Sequence, residues 1–237
     1  MLKKNDTVLL IAPSYAITYI NELFITLQLK IIIYDIIDYD IDLPINITYY
    51  KEEFTDETAY KYKNKIDLFM SDVRIKYDKK IKHDRFNKFM EGQKKWIEIM
   101  KPKISLIKIL LPYWLDTYNY LKGTIHFQLW SNGSQESILI VNINENNEYN
   151  YKDYNTKDYE NKYMAFYDAR IDKYNCPLIN KIKFFDNCYD CAFEYHLWKK
   201  YCEKYGNKNN IVEYVETTTK ILNKFHNTHR TMEHNKY

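Results

Sequence analysis

Glycine is almost missing from this chain. There are 4 among 237 residues, none before Gly92, against 25 tyrosines. Any turn in the first third is therefore built without the residue that most readily takes positive φ or lets backbone approach a ligand closely. Cysteine is scarce too, 4 in all, and every one lies beyond residue 175. That number and placement do not make a secreted disulfide scaffold, so a reducing compartment is expected. Long apolar runs are lacking. No segment approaches the ~18 to 20 residues that span a bilayer, and a soluble protein with no membrane partner is expected. The N-terminal MLKKNDTVLLIAPS has a strand-length apolar run whose approach Asp6 interrupts, which does not read as a signal peptide. Charge of one sign is also in short supply. The formal net charge is +3 and the sequence pI is near 8.4, well below the positive excess of a general nucleic-acid coat. Any RNA surface must be local, and no DNA specificity is expected.

What is present suffices for one sizeable core. The chain is 46% hydrophobic, and a single α/β domain over residues 1–237 is the expectation. Tyrosine, isoleucine, lysine and asparagine are all abundant, which suggests an A/T-rich coding genome more than a function. Most tyrosines therefore carry no functional weight.

Apolar runs of strand length alternate with stretches of helical period. The pattern predicts strands at Thr7–Ile11, Lys30–Asp35, Ile47–Tyr50, Ile66–Met70 and Ile104–Leu111. Helices are predicted over Tyr15–Leu29, Thr55–Lys65 and Asp84–Met100, the last with Phe86, Phe89, Met90, Trp96, Ile97 and Met100 on one side. Nearly continuous hydrophobicity in strands that alternate with helices is what a parallel sheet covered on both faces requires. After residue 112 the pattern changes. Gly123–Trp130 and Glu136–Val141, separated by SNGSQ, read as an antiparallel hairpin closing one edge of the sheet. A polar insertion near 142–158 reads as a mobile loop leading into a helix near Tyr159–Ile171. Lys181–Phe185 reads as a last strand. A C-terminal helical region follows from about Cys188 to Tyr205 and from Ile211 to Phe225.

Ligands of open α/β sheets sit at the carboxyl ends of the strands, so polar residues there carry extra weight. Asp35 closes the second strand, Asp72 closes the fourth, and Lys108 lies inside the apolar SLIKILLPYW. A lysine among Ile107, Ile109 and Leu110 must turn out at a sheet end or be buried, and burial disfavours its charged form unless it is paired. Asp72 on the neighbouring strand is the natural partner. For any one of these residues a buried ion pair is a sufficient account; together they point further.

SDVR at Ser71–Arg74, SLIK at Ser105–Lys108 followed by Pro112 and Tyr113, and SQE at Ser134–Glu136 before an apolar strand form an ordered set. In these landmarks the chain resembles poxvirus-type cap-specific mRNA ribose 2′-O-methyltransferases, which also serve as the regulatory subunit of the viral poly(A) polymerase. The resemblance runs from about Leu2 to at least Cys202, with weaker support from FTDE at Phe54–Glu57 and from Tyr189 and Asp190. It implies a Rossmann-like S-adenosylmethionine-dependent methyltransferase fold and an active-site tetrad of which Asp72, Lys108 and Glu136 are the matching members. Lys108 is then the proton acceptor, with Asp72 and Glu136 holding its geometry. The resemblance further implies an S-adenosylmethionine site at Ala12, Ser14, Ala16, Asp35, Asp72 and Val73. Tyr113 would stack on the methylated guanine of the cap, and Arg74 would contact RNA. The cap's acidic partner is left open among Asp116, Asp186, Asp190 and Glu194. Implied partners are capped mRNA and a poly(A) polymerase catalytic subunit, in the cytoplasm of a virus-infected cell or packaged in the virion.

Two departures are informative. The family's first tetrad lysine precedes its first strand, whereas Lys3 and Lys4 stand too close to that strand to replace it. The family's GxxPG-type cofactor loop is Ala12-Pro13-Ser14-Tyr15-Ala16, and Ile36 and Ile37 replace a basic residue after Asp35. An alternative is therefore a catalytically impaired protein that keeps only RNA binding and polymerase stimulation. Other groups read blandly. NCYDC puts Cys188 and Cys191 at ligand spacing, with Cys176, Cys202 and His196 within reach of a zinc ion. The stretch nevertheless reads as the start of an amphipathic helix without a second tight pair, so reduced buried thiols and no metal are expected. RIKYDKKIKHDR at 74–85 reads as a solvated charged loop as readily as a phosphate contact. His126 is read as structural.

Overall fold

A computed structural model describes residues 2–13, 28–38, 43, 45–73, 82–112, 114–127, 137–169, 174–179, 181–182, 185–205 and 211–216. The apolar runs form the expected sheet. Thr7–Ile11 (β1) is buried throughout Val8 to Ile11 without alternation, as a strand covered on both faces must be. It lies between Lys30–Tyr34 (β2) and Leu68–Ser71 (β4), parallel to both. Ile47–Tyr50 (β3) pairs outside β2, and Ile104–Ile109 (β5) outside β4, again in parallel. Thr124–Phe127 (β7) and Ser137–Asn142 (β8) add antiparallel strands, giving the order β3-β2-β1-β4-β5-β8-β7. The edge hairpin is thus present, with β8 paired to β5 and β7 outermost.

The two faces of β1 serve two cores. Leu9 and Ile11 pack with Phe69, Ile107 and Ile109, whereas Val8 and Leu10 pack with Ile31, Ile33 and Leu68. The first core is covered by the helix Lys82–Met100 (α2), through Phe86, Met90, Ile97 and Met100. Asp56–Lys61 (α1) is shorter than the Thr55–Lys65 expected. Thr55 caps its start by accepting a hydrogen bond from the Thr58 N–H at 3.3 Å. Beyond its end Asn64 turns left-handed, φ 58°, and its N–H donates to the Met100 carbonyl at 2.8 Å. Asn tolerates that conformation better than most residues, which makes it a natural stop.

Chain order places the topological switch between β1 and β4. The chain winds outward through β2 and β3, returns to β4 beside β1, and continues to β5. The crevice outside the carboxyl ends of these two strands is where such sheets bind ligands.

The polar insertion is where the sequence reading needs correction. Tyr151–Asn155 (β9) is a strand within the stretch read as mobile loop, paired antiparallel with Thr117–Leu121 (β6) in a separate two-stranded sheet. Tyrosines anchor it. The Tyr120 hydroxyl donates to the Met90 carbonyl at 2.7 Å, and the Tyr154 hydroxyl donates to Leu121 at 2.8 Å while accepting from the Gly123 N–H at 3.0 Å. Gly123 is required by space: a Cβ there would lie 2.4 Å from the Ile140 carbonyl oxygen. Of the last strand expected over 181–185, Lys181, Ile182 and Phe185 are described, and none of them lies in a strand. Lys181 and Ile182 both donate to the Leu178 carbonyl and Phe185 donates to Ile182, a local turn pattern rather than a ladder. Residues 15–27 of the helix expected over Tyr15–Leu29 lie outside the described residues; Gln28 takes left-handed backbone, φ 49°, and neither it nor Leu29 is helical.

The chain sorts into two compact units. One holds both sheets and the helices through Tyr159, the opening turn of Thr156–Ala169 (α3). The other includes the rest of α3, the helix Tyr189–Tyr205 (α4), a helical stretch at 211–216, and its own core of Cys176, Leu178, Ile182, Phe185, Cys188, Cys191 and Val215. No helix among the described residues is long and apolar enough to cross a membrane.

Candidate active site

Sheet register assembles the site. Tyr34, Ile11, Ser71 and Ile107 lie in one row across β2, β1, β4 and β5. The next residue on each strand is Asp35, Ala12, Asp72 and Lys108. Two backbone hydrogen bonds tie this second row together, from the Ala12 N–H to the Tyr34 carbonyl at 2.8 Å and from the Asp72 N–H to the Ile11 carbonyl at 3.0 Å. Three residues on which the sequence places chemistry thus share the carboxyl edge at the switch point with the turn residue Ala12.

Lys108 is 5% exposed. Its Nζ stands 3.0 Å from Asp72 Oδ1, and the Asp72 side chain is one-third open to solvent, at 33%. Strand alternation explains the meeting, because Lys108 follows Ile104 and Leu106 onto one face and Asp72 follows Leu68 and Met70 onto the same face. A buried ammonium needs such a partner, and one at the rim also leaves the carboxylate reachable. The strand beneath is pinned by Gln93 of α2. That side chain is fully buried, and its amide donates to the Lys108 carbonyl at 3.1 Å. Sequence reasoning missed Gln93. The available signal was a polar residue at the apolar spacing of Phe86, Met90, Ile97 and Met100, where burial demands a partner.

Ala12 takes φ 49°. The turn after β1 therefore has the left-handed backbone that glycine favours, although no glycine is there. Val73 is partly buried against the α2-side core. Asp35 is buried at the end of β2, and one of its carboxylate oxygens accepts from the Ile37 N–H at 3.2 Å. The Tyr49 hydroxyl donates to the Asp35 carbonyl at 3.0 Å and also bonds the Ile37 carbonyl. Burial first, then the Asp35 and Asp38 carboxylates, push the Tyr49 phenol up. Tyr49, which the sequence reading treated only as strand, thus holds the loop after Asp35. Ile36 and Ile37 on that loop are exposed.

β8 completes the described part of the edge. It pairs Ile138 with Lys108 and Ser137 with Ile109, and the Ser137 hydroxyl shares a buried 2.8 Å hydrogen bond with Tyr159. Glu136, which precedes Ser137 in the chain, lies outside the described residues, as do Ser14, Ala16, Arg74 and Tyr113. The structure therefore brings together Asp72 and Lys108, with Ala12 and Asp35 in the same row and Val73 next to Asp72. In the other unit Asp186, Cys188 and Cys191 meet, while Asp190 and Glu194 are buried on α4.

Sheet order and the reversed strand beside β5 define a Rossmann-like α/β fold of the methyltransferase type, with a polar row at its switch point. Among solved structures the chain is similar to bluetongue virus VP4, described as a multifunctional RNA-capping production line. The TM-score is 0.54 at 14% identity, over 68% of this chain and 28% of VP4. The chain thus corresponds to well under half of that protein. No family model and no curated protein matches the sequence.

Proposed function

We propose that the protein is an S-adenosylmethionine-dependent RNA ribose 2′-O-methyltransferase acting on capped mRNA, of the viral kind its sequence resembles. The observation that carries this reading is the buried Lys108 held 3.0 Å from Asp72 at the carboxyl edge of the sheet, in one row with Ala12 and Asp35. An ion pair made only for packing has no reason to sit at the ligand crevice of the fold. VP4, also named for RNA capping, shares the fold.

The residues fit the cofactor. Ala12 already has the turn conformation that the missing glycine would have provided. Asp35 is buried at the end of β2, where an acidic residue can accept from ribose hydroxyls. Ala12, Ser14, Ala16, Asp35, Asp72 and Val73 would hold the cofactor, which supplies an electrophilic methyl group when bound. The chain's own work is on the acceptor. Once it has given up its own extra proton, Lys108 Nζ as the free amine accepts the proton of the ribose 2′-hydroxyl, and Asp72 together with Glu136 fixes the amine's position. Alignment of the acceptor is a further contribution, for which Arg74 and Tyr113 are the candidates on the RNA side.

A second reading rests on Ala12 itself. A Cβ in left-handed backbone at the point of closest approach weakens a cofactor site, and a protein with that loss would act only as an RNA-binding, stimulatory subunit of a poly(A) polymerase. Calorimetric titration with S-adenosylmethionine and methyl transfer to capped RNA separate the two. Cofactor binding with transfer that Lys108→Ala abolishes supports the enzyme. Absence of binding at millimolar cofactor would falsify it, and transfer that survives Lys108→Ala overturns the assignment of the base.

A further inference from the structure

The second unit contains a cluster that methyl transfer does not use. Asp186, Cys188 and Cys191 each offer one donor atom, and these atoms lie within 4.8 Å of one another. Both cysteines are buried and carry free thiols, as does Cys176 in the same core. We propose that this cluster is a structural site for a soft divalent cation of the zinc type, with Cys188, Cys191 and Asp186 as ligands.

The argument is local chemistry. Two sulfurs and a carboxylate select zinc over calcium or magnesium, which prefer all-oxygen shells. Bonds of about 2.3 Å to sulfur and about 2.0 to 2.2 Å to oxygen put tetrahedral donors roughly 3.5 to 3.8 Å apart. Contraction by about an ångström closes the three onto one ion.

The surroundings are those a metal thiolate needs. The Cys188 sulfur accepts from the Cys191 N–H at 3.4 Å, and the Cys191 sulfur accepts from the Asp186 N–H at 3.4 Å. Such N–H groups stabilise sulfur in its charged form and orient it. Asp186 is held in turn, because one of its oxygens accepts from the Cys188 N–H at 2.9 Å. The other oxygen is a different atom, so the carboxylate can serve cap and ligand at once. Both cysteines also sit at the start of the 17-residue α4, where the helix dipole favours negative charge.

The sequence reading of reduced thiols without metal lacked Asp186, whose side chain only the turn before α4 brings to the pair.

The test is metal content of the full chain purified without chelator, followed by cobalt titration of the stripped protein. One zinc per chain is expected, with thiolate-to-cobalt charge-transfer absorption on replacement. Cys188→Ser and Cys191→Ser should lose at least tenfold in affinity, whereas Cys202→Ser, a buried thiol elsewhere on α4, should retain the metal. Because serine variants can fail to fold, the wild type supplies an independent readout: chelator should lower the Tm of the second unit and zinc should restore it. Wild-type protein with far less than one zinc per chain and no cobalt–thiolate band overturns the proposal, and so does an undiminished band in Cys188→Ser.

Discussion

Lys108 and Asp72 show how a single pair can be both structural and chemical. Removing the carboxylate breaks the 3.0 Å ion pair of a lysine that is 5% exposed, and breaking a buried ion pair is among the more damaging changes a fold can suffer. The pair's place at the sheet edge is what makes it more than an anchor. Ala12 carries the complementary lesson. Left-handed backbone costs an L-residue about 1 to 2 kcal/mol, and glycine gives back part of that gain through unfolded-chain entropy. Ala12→Gly should therefore stabilise its unit by about 0.5 to 1 kcal/mol, a Tm rise of about 1 to 4 °C by calorimetry. An unchanged or lower Tm would mean that the turn at Ala12 is not strained.

Among the elements, α1 and α2 are joined by a charged seam. Asp56 of α1 forms an ion pair with Lys95 of α2 and accepts from the Trp96 indole N–H at 3.0 Å. The Lys95 hydrogen bond foremost, with help from Trp96 and against a smaller contribution from burial, holds the Asp56 carboxyl below the usual carboxylate range. The folded protein thus binds this proton less tightly than the unfolded chain does. Its contribution is complete above the ordinary aspartate value near ~3.9 and is lost as pH falls through the lower folded value. Asp56→Asn should flatten the acid limb of stability below about pH 4 and leave its shape above that unchanged. A difference confined to neutral pH would contradict the role given to the seam.

The first unit carries phenols whose ionisation burial opposes, with Tyr120 fully buried, Tyr118 and Tyr149 half-buried and Tyr151 exposed. Burial above all pushes Tyr118, Tyr120 and Tyr149 up, and Tyr151 is pushed up to about 12 by burial and by its hydrogen bond with Glu98. These groups favour the fold while protonated. That stability is full below the unfolded-state value near ~10 and is lost as pH rises through the folded values. Tyrosinate absorbance and far-UV circular dichroism should therefore change together above about pH 10; phenols ionising there with the fold intact would refute this.

The same tyrosines mark what the sequence concealed. Apolar runs made β1, β2, β4 and β5 legible, because burial on two faces leaves little other pattern, whereas β3, β7 and β8 alternate in burial and were read from their shorter or alternating segments. β6 and β9 were not legible. TYNYL and YKDYN are polar on the solvent side, and what fixes them is Tyr120 and Tyr154 bonding to distant carbonyls. Reading tyrosine as genome bias removed the one signal they carried. At the site, the pairing of Asp72 with Lys108 was legible because a lysine in an apolar strand demands a partner. Gln93 and Asp186 were not, since each acts through a contact that only folding supplies.

The proposed role of Lys108 as proton acceptor for methyl transfer to a ribose hydroxyl can be read from single-turnover transfer of labelled methyl from S-adenosylmethionine to capped RNA, comparing wild type with Lys108→Met, which keeps volume and loses the amine. Cofactor affinity should be retained while transfer falls by roughly 10²- to 10⁴-fold, the range of a general base. Transfer at the wild-type rate in Lys108→Met, or no transfer by the wild type with cofactor bound, would contradict it.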